Sequence, residues 1–206
     1  MDLARPYAAI SPTLDPAVLT VLAGTTRPLT GREIARLVGR ASHSGVMAVL
    51  DRLDHQGIVD REEAGRAFLF TLNREHLAAP AVELLAGLRE ELLHRIRSEV
   101  GGWSVKAHHL SLFGSAARGD GGIDSDIDLF AVRFSSIESQ DPVWREQLDL
   151  LSWKVERWTG NPARIVEVEE RDLPQLRKER SPVVEELLAD AISLAGPEAS
   201  ALLGKS

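Results

Sequence analysis

Between positions 112 and 129 the chain reads Leu112-Phe113-Gly114-Ser115-Ala116-Ala117-Arg118-Gly119-Asp120, then, after a short gap, Asp124-Ser125-Asp126-Ile127-Asp128-Leu129. The first piece is an apolar run that enters Gly-Ser and a short helical stretch. Backbone N–H groups at such a start face outward and suit phosphate oxygens. Gly114 allows close approach of the backbone, Ser115 adds a hydroxyl donor, and Arg118 can add charge-assisted bonds. In the second piece two carboxylates stand two residues apart. On a strand, residues i and i+2 share a face, so Asp126 and Asp128 project together while Ile127 and Leu129 point into the core. Two adjacent carboxylates repel unless a cation lies between them or one is protonated. Hard oxygen ligands suit Mg2+ or Mn2+, with triphosphate oxygens completing the shell. A phosphate cradle beside a metal clamp makes phosphoryl or nucleotidyl transfer the chemistry to expect.

The elements that must position these residues follow from hydrophobic period and turn chemistry. Strands are expected over Ala107–Phe113, Ile127–Phe134 and Arg164–Val168, with principal helices over Pro142–Thr159 and Ser181–Leu194, an α/β pattern. Upstream, Val18, Leu19 and Leu22 mark a helix from Asp15 to Ala23. Thr30 and Glu33 form the Thr-x-x-Glu pattern of a capping box ahead of Ile34, Leu37 and Val38. Ser42 is a plausible N-cap for a third helix that buries Val46, Val49, Leu50 and Leu53 and stops at Gly57. Ile58–Asp60 and Ala67–Leu72 then read as a hairpin around Glu63-Ala64-Gly65-Arg66. Between the two regions a single amphipathic helix is expected over residues 79–100, with Val82, Leu85, Leu88, Leu92 and Ile96 on one stripe, closed by Gly101-Gly102. The division this implies is an N-terminal domain over 1–78, a connector helix over 79–102, an α/β domain over 103–196 and a flexible tail over 197–206.

Two resemblances attach to these patterns. Residues 12–75, with helix, short helix, helix and hairpin in that order, resemble a winged helix-turn-helix of the kind found in small bacterial transcription regulators. The resemblance implies that the third helix meets duplex DNA, through Ser42, His43, Ser44, Met47 and Arg52, and that Arg66 at the wing tip reaches a phosphate or the minor groove. Arg32, Arg36, Arg40 and Arg52 read equally well as a solvated helical face, and protein docking is an alternative use of the module. The connector stripe could serve a homodimer, which two-fold operators require. The second resemblance is more specific. Gly-Ser-x-Ala-Arg-Gly-Asp followed by Asp-Ser-Asp-Ile-Asp-Leu is similar to the signature of the minimal nucleotidyltransferases of the DNA polymerase β superfamily. It implies a mixed sheet flanked by helices and transfer of a nucleoside monophosphate from a nucleoside triphosphate to an acceptor hydroxyl, on protein or RNA. It assigns Gly114 and Ser115, with Arg118, to the phosphates, and Asp126 and Asp128 to Mg2+ or Mn2+. The family's third carboxylate usually lies on a later strand, and here Arg164 stands at that position. Glu167 is the candidate displaced third acid, although three residues further along a strand it faces the other way. A chain that lacks the third acid could also be a regulator that senses a nucleotide without transferring it.

Composition sets outer limits. The chain has 206 residues, 44% of them apolar and 27% charged, and no cysteine, so thiolate metal sites and disulfides are excluded. The net charge of −7 falls wholly on residues 81–206, since residues 1–80 balance nine basic against nine acidic side chains. DNA contact must therefore come from a local basic patch. No run of about 18 apolar residues suggests a membrane span. The start MDLARPYAAI has no export pattern, which makes a cytoplasmic protein the expectation.

Overall fold

The computed structural model describes residues 1–179 and 182–204, in two compact units, Arg5–Arg89 and Glu90 onward together with Met1–Ala4. In the first unit the helices α1 (Leu14–Ala23), α2 (Gly31–Val38) and α3 (His43–His55) alternate with a short strand β1 (Leu29–Thr30) and are followed by β2 (Val59–Ala64), β3 (Ala67–Leu72) and α4 (Ala79–Ala86). The strands form an antiparallel sheet in the order β1-β3-β2. Val18, Leu22, Ile34, Val46, Leu50 and Phe70 make its core. Local chemistry sets the element ends. The Thr30 hydroxyl accepts from the Glu33 N–H and the Glu33 carboxylate accepts from the Thr30 N–H, the full capping box. Ser42 caps α3 through the Gly45 N–H at 3.1 Å. Ala64 pairs with Ala67 across a two-residue turn, where Gly65 takes φ +64°, a conformation a side chain would strain.

The second unit begins within α5 (Leu88–Gly101). It continues as β4 (His109–Phe113), α6 (Gly114–Arg118), β5 (Ile127–Arg133), α7 (Pro142–Thr159), β6 (Ala163–Glu169), α8 (Leu173–Glu179), α9 (Pro182–Asp190), β7 (Ile192–Ala195) and α10 (Ala199–Leu203). Its mixed sheet has the order β6-β5-β4-β7, with β5 and β6 parallel and the other pairs antiparallel. Both faces are covered, as the doubly apolar strands require. Leu110, Leu112, Ile127 and Leu129 pack with Leu92, Ile96, Trp144, Leu148 and Leu151 on one side. Phe113, Phe130 and Val132 pack with Leu173, Leu187, Leu202 and Leu203 on the other. Asp126 and Asp128 have the parity of Phe130 and lie on this second side. Among the described residues no helix is long and apolar enough to cross a membrane.

Three expectations are corrected. The amphipathic stretch 79–100 is two helices, α4 and α5, separated at Gly87, which caps α4 through the Glu83 carbonyl. Val82 is buried in the first unit's core and Leu92 and Ile96 in the second's, so the apolar positions of this stretch are divided between two cores. The helix expected over Ser181–Leu194 ends at Asp190, and its start at Ser181 lies outside the described residues. Ile192–Ala195 leaves the helix to pair with β4, because an uncovered β4 edge would leave backbone groups unpaired. Gly196 permits that return: a Cβ there would stand 2.1 Å from the His108 carbonyl oxygen. The segment expected as a frayed tail forms α10, with Leu202 and Leu203 buried; two adjacent leucines with a hydrophobic face to cover outweigh the entropy of ordering a few residues.

Candidate functional site

β4 ends at Phe113, and the chain turns through Gly114 at φ +67° into the single turn of α6. Gly114 is required twice. A side chain would strain that backbone, and its Cβ would stand 3.2 Å from the Asp128 Oδ2. The turn is thus held against the carboxylate. The Ser115 carbonyl accepts from the N–H groups of Gly119, Asp120 and Gly121 at 3.0, 3.1 and 3.2 Å, which folds the glycine loop back beneath the half-buried Ser115 side chain. A Cβ on Gly121 would come 3.1 Å from the Ser115 Oγ. Arg118 is drawn from both sides, by Asp120 Oδ2 and by Asp190 Oδ2 of α9, each at 3.2 Å.

Asp126 sits one residue before β5 and Asp128 within it, and the two lie close enough for the charge of one to act on the other. Burial, then the charge of Asp126, push the Asp128 carboxyl above its ordinary value; Arg164 opposes that shift and Glu186 of α9 adds to it. These are the electrostatics of a carboxylate pair short of positive charge. β6 supplies a cation. In the parallel register Arg164 lies directly opposite Asp128, and its Nε reaches Asp126 Oδ2 at 2.8 Å while the side chain stays 73% exposed. The position expected to carry a third acid therefore carries a guanidinium paired with the first. Among the described residues no group of three or more His, Asp and Glu gathers as a metal site.

Glu167 does not join this site, which corrects its candidacy as a third acid. It projects from the other face of β6, where its carboxylate accepts from Arg133 Nε at 3.1 Å and Trp144 Nε1 at 3.0 Å and is ion-paired with Arg145. Asp124 is exposed and Asp120 is occupied by Arg118. The adjacent histidines diverge: His109 is buried with its Nδ1 2.7 Å from the Pro197 carbonyl, while His108 lies edge-on to Phe134. Asn161, which the sequence patterns did not single out, is 1% exposed and bonded to the loop that leads into Asp126.

In the first unit, His43, Met47 and Arg66 line one groove of about 630 Å³ together with Arg32, Phe68 and Phe70. Ser42 and Ser44 are exposed at the start of α3, their hydroxyls 3.2 Å apart. Arg52 is engaged elsewhere, by Asp15 of α1 and by Gln56 at 2.9 Å, so the structure does not bring it to the groove.

Residues 90–187, just under half of the chain, match the family model described as a nucleotidyltransferase domain. No curated protein matches the chain. One chain of a solved structure titled "Crystal structure of the toxin-antitoxin with AMP-PNP" is similar at 17% identity and a TM-score of 0.37, over 54% of this chain and 80% of that one.

Proposed function

We propose that the second unit binds a nucleoside triphosphate with one divalent cation, through Gly114, Ser115, Arg118, Asp126 and Asp128. The observation that carries this reading is the close approach of the Gly114 turn to Asp128, which sets a phosphate cradle and a carboxylate pair side by side within the matching segment. The donor set fits one hard cation, Mg2+ or Mn2+, held by Asp126 and Asp128. When bound, that cation supplies positive charge to the triphosphate oxygens. The chain's own groups do the rest. Ser115 offers its hydroxyl to a phosphate, and Arg118 adds charge from the edge of the glycine loop. Asp126 must exchange Arg164 for the incoming charge, and Arg164, largely exposed, is free to turn toward the phosphates. Calorimetry of the full chain with ATP, GTP, CTP and UTP is expected to show binding that vanishes on chelation and in Asp126→Ala/Asp128→Ala. Undiminished binding by that double variant would remove the metal-site assignment.

Two carboxylates do not provide for a second cation. A guanidinium on the third position repels one and cannot accept the acceptor's proton. The Arg164–Asp126 pair therefore favours a nucleotide sensor over an efficient transferase. The intact Asp126/Asp128 pair keeps transfer to a protein or RNA hydroxyl as the second reading. Pyrophosphate release separates them: the sensor predicts little release by the wild type and more in Arg164→Asp with an acceptor present.

For the first unit the reading is a winged helix-turn-helix that binds duplex DNA, with His43, Met47 and Arg66 around the groove and Ser42 and Ser44 at the exposed helix start. The neutral balance of this region supports a contact through that local patch rather than over the whole surface. Affinity for a duplex should fall steeply with added salt and weaken across sequences in Arg66→Ala. Absence of binding to any duplex at low salt would transfer the groove to a protein partner.

A further inference from the structure

The ladder of β5 begins at Ile127, so it does not hold Asp126. The preceding residues, Gly119 to Ser125, belong to no helix or strand and include three glycines, the residue type with most freedom to lose on ordering. A carboxylate that must meet a cation and a triphosphate needs its geometry fixed by supporting groups. The first half of this loop is held by the Ser115 carbonyl and by the Leu3 N–H on the Gly121 carbonyl at 3.1 Å; the half that leads into Asp126 is supported from one turn, at the end of α7 and the start of β6. The buried Asn161 amide donates to the Ser125 carbonyl at 2.9 Å and the Ile123 carbonyl at 3.1 Å, with the Gly122 carbonyl at 3.5 Å. Its own N–H is taken by Thr159 Oγ1 at 3.1 Å. Next to it, the Pro162 carbonyl accepts from the Ile127 N–H at 2.8 Å, and two residues on Arg164 reaches Asp126. Within the loop, the Gly122 N–H donates to Ser125 Oγ at 2.9 Å and the Ser125 N–H to the Gly122 carbonyl at 3.2 Å.

We infer that Asn161 is a positioning residue for the nucleotide site: its side-chain amide clamps the Gly122–Ser125 carbonyls and thereby sets Asp126 beside Asp128. An Asn amide has two protons to give, and here both go to carbonyls of one loop. A buried amide without those partners would be costly, so clamp and loop order each other. The inference rests on the triphosphate reading above for its consequence, not for the clamp itself. It differs from a general packing role in what it predicts: loss of the amide donors loosens residues 119–126 and weakens the cation site while β4 and β5 stay as firm as before.

The test uses the full chain and Mn2+ alone, with free Mn2+ followed by electron paramagnetic resonance and backbone exchange by deuterium labelling. Asn161→Asp keeps the shape and removes both donors. It is expected to lower Mn2+ affinity at least tenfold and to speed exchange in residues 119–126, with exchange in β4 and β5 unchanged. Wild-type affinity or wild-type loop exchange in Asn161→Asp overturns the inference, as does faster exchange spread evenly over the sheet. If the wild type and Asp126→Ala hold Mn2+ equally, the nucleotide-site reading fails instead, and the exchange measurement still decides the clamp. Should Asn161→Asp not fold, Asn161→Ser is the second variant: its hydroxyl keeps a donor too short to span the loop carbonyls, and the same two outcomes apply.

Discussion

Strand β6 carries ionic contacts on both of its faces, and the two sets differ in the burial of the groups at their centre. On one face Arg164 reaches Asp126 across open solvent, with nearly three-quarters of its side chain exposed. On the other, Glu167 and Glu169 share Arg133, whose side chain is only 7% exposed; Trp144 donates to the Glu167 oxygen that Arg133 also uses, and Arg145 and Arg171 take the remaining carboxylate oxygens. An exposed pair contributes about 0–1 kcal/mol and is screened by salt. A desolvated cluster is different: removing one member strands its partners away from water at a cost of several kcal/mol. The contrast teaches which face can change partners. Water can take over Arg164 when Asp126 releases it, whereas Arg133, only 7% exposed, has little access to water that could stand in for Glu167. The exchangeable contact lies at Asp126, in the triphosphate site proposed above, and the fixed one lies where the sheet meets α7.

The comparison breaks most visibly at Glu167. Glu167→Ala leaves Arg133 and Trp144 Nε1 short of an acceptor and should destabilise the chain by about 3 kcal/mol, read as a fall in denaturant midpoint at unchanged slope. A loss under about 0.5 kcal/mol would mean the cluster is as dispensable as a surface pair. A second effect sharpens the same rule with a single buried base. Burial is the main force holding the His109 ring below its ordinary value; the charge of His108 adds to this, while the Pro197 carbonyl and Glu198 act the other way. The unfolded chain therefore binds this proton at a higher pH than the folded chain does. The stabilisation is fully present above the ordinary value of about 6.5 and is lost as pH falls below it toward the depressed folded value. Thermal melts from pH 7.5 down to 5 should show that decline, and His109→Leu should flatten it. An unchanged pH profile in His109→Leu would assign the decline to other groups. The smallest effect is expected at Arg164. Arg164→Ala should alter stability by no more than about 0.5 kcal/mol while tightening Mn2+ about twofold to fivefold, the equivalent of one exposed pair given up by Asp126. A stability loss comparable with that of Glu167→Ala would erase the distinction between the faces.

Much of this was legible along the chain itself, wherever the determinant is local. Period-2 and period-3.6 patterns located α1, α3, α7 and β3 within a residue or two, and the Thr30–Glu33 box and the Ser42 cap announced two helix starts, because each uses partners within a turn. Asp126 and Asp128 were assigned to one face by strand alternation alone, and the same parity placed Glu167 opposite Arg164. What lay beyond reach was every feature whose partner is distant. A hydrophobic stripe does not say which of two cores it enters, so the break at Gly87 was hidden. Ile192–Ala195 has the composition of a helix end and becomes a strand because β4, some eighty positions earlier, offers an open edge. Side-chain alternation says which way Glu167 points, but the register of β5 against β6 hands it to Arg133 and sets Arg164 across from Asp128. Asn161 was invisible for the same reason. An amide in a Gly-Asn-Pro turn reads as a turn former until the fold brings the carbonyls of Ile123 and Ser125 to it. The sequence determined which residue types face together on each element, since backbone geometry repeats at fixed short intervals. Only the tertiary structure decided which cation meets which carboxylate, since that depends on strand pairing and burial between residues the chain keeps far apart.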